Sequence, residues 1–276
     1  MLVFIYFFSL KTFNFTNFQL AFLFVTFAQN RKKMFVLFKK ELSSFFSSLT
    51  GYIAIIVFLV LTGLFLWVFP GDFNIFENGF SSIEGLFIIA PWVFLFLIPA
   101  ITMRLFSEEN KTGTIELLLT KPLSDYKIIL AKYLAGLTVV LFALLPTLVY
   151  FLSVYLLGNP VGNIDVGGTW GSYIGLFFLA AIYVAIGVFT SSLTDNQIVA
   201  FIFSMILSFI VYIGFDFISG LDFWGGSSYF VSKLGINFHY SSISRGVIDS
   251  RDLIYFISVI SLFMFATKLK LESRKW

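Results

Sequence analysis

Polar positions in this chain are so widely spaced that the stretches between them read as six membrane spans. Gly51 to Phe69 supplies 19 residues without a charge, close to the roughly 20 apolar residues an α-helix needs to cross a bilayer. A second span is expected from about Leu86 to Met103; it contains Pro91 and Pro99, which are tolerated where neighbouring helices re-satisfy the freed carbonyls. The third covers about Ile128 to Leu157, with a kink at Pro146. It is long enough for its start, around Lys132, to project into the cytoplasm. The fourth and fifth, about Ser172 to Ser192 and Gln197 to Ile218, are joined by a tight turn at Thr194, Asp195 and Asn196. The sixth runs from about Leu253 to Thr267.

Three segments outside the spans carry a pattern of their own. From Met34 to Thr50, apolar pairs alternate with Lys39, Lys40, Glu41 and serines at helical spacing, as in an amphipathic helix lying on the membrane surface. Between spans 2 and 3, MRLFSEENKTGTIELLLTKPLSDYKIILAKYLAG mixes both signs of charge between long apolar runs. Thr112-Gly113-Thr114 reads as a turn with an N-cap at Thr112 or Thr114. A short amphipathic helix follows over Ile115 to Thr120 and stops at Lys121-Pro122, and Ser124-Asp125 caps the next helix. The third segment, Ser219 to Asp252, is too apolar for a solvated loop and too broken by glycine for a span. Short outer re-entrant or interfacial helices are expected there. Gly171 and Gly175 form a small-xxx-small pair suited to close helix approach.

Charge orients these elements. The loops at 70–85 and 158–171 contain no Lys or Arg, which places them outside, since basic residues are retained on the cytoplasmic side. Of the 18 Lys and Arg, four precede Met34, and of the remaining 14 only Lys233, Arg245 and Arg251 fall in external segments. Six spans then leave both termini in the cytoplasm. Composition agrees: 20% of residues are aromatic, 12% are charged and the mean hydropathy is +0.95, whereas about a quarter of residues are charged in an average soluble domain.

Residues 1–33 stand apart. They hold nine Phe and no Gly, Pro, Asp or Glu, and Arg31, Lys32 and Lys33 follow their apolar run, whereas in a signal peptide the positive charge comes first. Met34 is expected to be the true start, with 1–33 a translated upstream extension or, alternatively, an extra interfacial or tilted helix. Residues 34–276 are expected to form one membrane domain with short loops.

Chemistry is thin. There is no cysteine and one histidine, His239, so thiolate chemistry is excluded and a metal cluster has no ligand set. No glycine-rich loop ends in GK[ST], so any nucleotide and its magnesium must sit on another subunit. No basic stripe suggests nucleic acid. The middle of each span lacks Asp, Glu, Lys and Arg, which argues against an ion-coupled carrier.

Arg104, Glu108-Glu109, Gly113-Thr114, Glu116-Leu117-Leu118, Pro122 and Lys132 resemble the segment between spans 2 and 3 of type-2 ABC transporter permeases. The lead-in FKKELSSFFSSLTGYI resembles the start of these permeases. Over residues 34–276 the resemblance implies an all-α, six-span permease of the bacterial inner membrane with no ATPase activity of its own. The chain would dimerise or pair with a second permease, contact membrane lipid, and carry a cytoplasmic ABC ATPase subunit. The resemblance also implies that Arg104, Glu108, Glu109, Gly113, Thr114, Glu116, Pro122 and Lys132, with Lys39, Lys40 and Glu41 on the surface helix, form the ATPase contact. Within the family the pattern is closest to gliding-motility-associated permeases. Permeases of nitrous-oxide-reductase maturation, drug export or polysaccharide export, and a non-transporting membrane assembly protein, are the alternatives.

Overall fold

The structure, a computed structural model, describes residues 33–77, 79–120, 123–221, 228–247 and 249–273. The upstream extension expected at residues 1–33 lies outside them apart from its last residue. Every regular element among the described residues is a helix. Helix α1 (Lys33–Ser47) meets α2 (Leu49–Trp67) at a bend of 65°, so the amphipathic surface helix and the first span are separate rods. Among the described residues five helices or helix pairs are long and apolar enough to cross a membrane, or six if the bent pair of α1 and α2 counts as one span.

Span 2 consists of α3 (Glu84–Thr102), which runs on with one irregular residue, Met103, into α4 (Arg104–Thr112). Gly113 then adopts φ 72°, a left-handed conformation that costs an L side chain about 1–2 kcal/mol, and the chain turns into α5 (Thr114–Leu119). The cap position is Gly113 itself. Neither Thr112 nor Thr114 caps α5; their hydroxyls bond each other at 2.9 Å instead.

Span 3 is α6 (Asp125–Leu144), a 3₁₀ turn at Leu145–Thr147 around Pro146, and α7 (Leu148–Leu157). Ser124 stands at the N-cap of α6 without a side-chain hydrogen bond. Span 4 is α8 (Val166–Leu193), opened by Asp165, whose carboxylate accepts from the Gly168 N–H. Span 5 is α9 (Gln197–Phe209), a π turn at Ile210–Gly214 and α10 (Phe215–Ser219). Two short helices follow, α11 (Ser228–Ser232) and α12 (Ile236–Ile243). The last span, α13 (Ser250–Glu272), extends past the expected Thr267.

Helix α8 is the axle of the bundle. In its most apolar window 78% of residues are buried, against 22% in span 5 and 28% in α13. Its small residues explain the position, because helices in lipid gain from close van der Waals approach rather than from hydrophobic exclusion. A Cβ at Gly187 would collide with the Thr102 side chain of α3. At the other end of α8, a Cβ at Gly171 would lie 2.8 Å from Cα of Gly246 and 2.9 Å from the Ile243 carbonyl. Gly171 and Gly175 thus admit α12 into the bundle. The Tyr240 hydroxyl seals that contact by donating to the Phe87 carbonyl at 2.7 Å, and the Ser172 hydroxyl donates to the Ser244 carbonyl at 2.9 Å.

Candidate functional site

Lys132 does not project into solvent. On α6 its side chain is 0% exposed, because it reaches across to Glu41 of α1 and to Leu105, Phe106 and Glu109 of α4. Nζ lies 3.2 Å from Oε1 of Glu41 on α1 and 3.0 Å from Oε2 of Glu109 on α4. It also donates to the main-chain carbonyl of Leu105 at 2.6 Å and sits 5.0 Å from the centroid of the Phe106 ring. The Glu109 Oε2 contact is a charge contact without hydrogen-bond geometry.

Lys40 completes the group from the solvent side. Its Nζ donates to Oε1 of Glu41 at 3.2 Å and to Oε1 of Glu109 at 3.3 Å. Two cations thus face two carboxylates, so the buried charge is balanced, which is the condition for keeping an ion cluster out of water. Partial burial pulls the Lys40 ammonium's pKa down, but the charges of Glu41 and Glu109 and their hydrogen bonds outweigh it and hold the group above its ordinary 10.5. A raised lysine pKa contributes stability that is complete below the unfolded value and is lost only as pH rises through the folded one. The contribution of Lys40 is therefore unchanged by pH near neutrality.

A second set of bonds, not evident from sequence spacing, fixes α4 at its base. Arg104 Nη2 donates to Ser48 Oγ at 2.5 Å, and its guanidinium lies 5.8 Å from the Phe45 ring centroid. Ser191 near the end of α8 accepts from the N–H groups of Phe106 and Ser107 at 2.9 and 3.1 Å, and donates to the Met103 carbonyl at 3.0 Å. Asn110 Nδ2 donates to the Thr194 carbonyl at 3.3 Å. Ser191 satisfies the backbone groups left open by the break at Met103. Its only mark in the sequence is a hydroxyl in a charge-free run, and nothing links it to a partner 85 positions away.

Residues 36–223 of this 276-residue chain match the sequence model of the family described as ABC-2 family transporter protein. The chain belongs to that family. No curated protein matches it. As an ABC-2 transporter protein it is a multi-pass membrane protein and a membrane transport component.

In this ABC-2 protein, a cleft of about 440 Å³ opens beside the ion cluster. Of the residues anticipated for the site, Arg104, Glu108, Glu109, Thr114, Lys40, Glu41 and Lys132 line it, joined by Ser44, Leu105, Thr112, Leu117 and Leu118. Glu108, Gly113, Thr114, Glu116 and Lys39 are exposed; Gly113 makes the turn, while Glu116 and Lys39 do not line the cleft. Pro122 lies outside the described residues. Leu117 is 67% exposed, an apolar side chain left uncovered at the mouth of a charged cleft. Among the described residues no group of three or more His, Cys, Asp and Glu could hold a metal. Chemically, the arrangement offers a mixed-charge, partly apolar recess on a rigid support, suited to receiving a protein element.

Proposed function

We propose that this protein is the membrane-spanning permease subunit of an ATP-binding cassette transporter, and that a separate ATPase subunit docks at the α1–α4–α5 cleft. The observation that carries this reading is that the exposed helices around the cleft are bolted to three spans. Glu109 and Glu41 meet on Lys132 of span 3, Ser191 of span 4 holds the start of α4, and α4 prolongs span 2. A partner pressing on α5 would therefore move the spans as levers rather than deform a loop. ATP and Mg²⁺ sit on the partner; this chain supplies contact and transmission. The excess of Lys and Arg at this end supports its placement in the cytoplasm, with both termini there. The transporter is completed by a second copy or a second permease.

Glu116→Lys tests the docking. Glu116 is exposed, so the variant should fold and purify as the parent does but lose its co-purifying ATPase subunit. Retention of the ATPase with unchanged coupled ATP hydrolysis would remove α5 from the contact. The similarity of MFVLFKKELSSFF, SRGVIDSRD and LKLESRKW to gliding-motility-associated permeases supports a role in gliding motility in a bacterial inner membrane. Deletion of the gene should abolish surface spreading. Intact spreading with lost nitrous-oxide reductase activity would transfer the protein to that maturation system.

A further inference from the structure

The opposite end of the molecule buries a second polar contact that ATPase docking does not use. His239, the single histidine of the chain, lies on α12 with its side chain 11% exposed, and its Nδ1 is 2.7 Å from Oδ1 of Asp252. Asp252 belongs to the first turn of α13. The other ring nitrogen, Nε2, is 2.9 Å from the main-chain carbonyl of Lys233. The imidazole stacks on Tyr255 with centroids 3.9 Å apart, and the Tyr255 hydroxyl donates to the Leu234 carbonyl at 2.6 Å. One side chain thus ties α12 and the α11–α12 connection to the start of α13.

These contacts require one proton more than a neutral histidine and a carboxylate possess. A carbonyl only accepts, so Nε2 must donate to Lys233. Neutral imidazole has a single N–H, which would leave Nδ1 as a bare acceptor facing a carboxylate oxygen, another acceptor. The 2.7 Å contact is attractive only if the ring is imidazolium or if Asp252 is a carboxylic acid donating to Nδ1. In both cases the extra proton belongs to the pair. No neighbouring charge stands in for it among the described residues. The Lys233 ammonium is turned over the Tyr229 ring, 4.3 Å from its centroid. Asp216 accepts from Asn237 Nδ2 at 2.8 Å, Asp249 accepts from the Arg251 N–H at 2.9 Å, Arg251 is exposed, and the second oxygen of Asp252 is buried without a hydrogen-bond partner.

We propose that His239 and Asp252 form a proton-binding latch that fastens α12 to α13 while the shared proton is bound and frees it when the proton leaves. The closed form binds one proton more than the open form, so raising the pH favours opening. In the proposed orientation the latch faces the outside of the cell and reads the pH there.

The chain has no cysteine, so a fluorophore that does not itself titrate can be attached at a single Val247→Cys, a position 64% exposed beside the latch. The full-length protein in nanodiscs should show a fluorescence step as the pH is raised from acid to alkaline. In ¹⁵N-histidine-labelled protein the one imidazole should change its ring signals in the same step. Asn at position 252 can donate to Nδ1 of a neutral ring while Nε2 still donates to Lys233, so Asp252→Asn should stay closed and show no step. His239→Gln, which can both donate and accept, should likewise be flat. The proposal is overturned if the parent shows no step, if Asp252→Asn keeps it, or if the imidazole signals stay constant through it.

Discussion

At one end of this molecule two lysines face two glutamates; at the other a single histidine faces a single aspartate. Both contacts join a short helix to a span, and both are largely hidden from solvent. They differ in what holds them closed. The Lys132 cluster spreads its charges over several partners, including the Leu105 carbonyl. The His239 contact depends on one proton and leaves one carboxylate oxygen unbonded. The first is built to hold position under load, the second to change with conditions, and α8 runs between them with glycines at both ends.

Removing the centre of the first cluster should have the largest effect. Lys132→Met leaves Glu41 and Glu109 to share the single, largely exposed Lys40, and breaking a buried pair from one side costs about 3–5 kcal/mol. Denaturation of the purified protein should show that loss together with poor ATPase association, and an unchanged midpoint would mean that the cluster carries no structural weight. Gly187→Val attacks the axle between the two ends. The added methyls meet Thr102, and overpacking of about 1–3 kcal/mol is expected, read as a lowered thermal midpoint. Gly113→Val forces a β-branched residue to φ 72° and should cost about 1–2 kcal/mol. That loss should stay local: partner binding weakens while the fluorescence of a reporter at position 247 is unaltered. The smallest effect belongs to Lys40→Ala. Its side chain is 60% exposed, and screened surface pairs contribute about 0–1 kcal/mol. A large effect there would mean that Lys40, rather than Lys132, organises the junction.

Much of the architecture was legible in the order of residues because a bilayer imposes a coarse rule: long charge-free runs must be helices, and cations mark one side. The spans, the proline interruption at Pro146, the turn at 194–196 and the helix–turn–helix around Gly113 all follow from composition and spacing. Boundaries drifted where polar residues found partners along their own helix. The last helix continues past Thr267 to Glu272, and Lys268 and Glu272 pair at 3.3 Å along it. The cap falls at Gly113 although Thr112 and Thr114 are good capping residues in isolation, because here their hydroxyls bond each other.

The sequence by itself determined the membrane class, the placement of the long apolar helices and the clustering of charge between spans 2 and 3, because each depends on local hydrophobicity. Only the tertiary structure decided that Lys132 is a hub instead of a solvated charge, and that Ser191 rather than any charged residue anchors α4. It also decided that Gly171 and Gly175 admit α12, and that His239 meets Asp252. These are pairings between positions far apart in the chain. Which buried polar group meets which is fixed by how the helices pack around α8, and no local pattern encodes that.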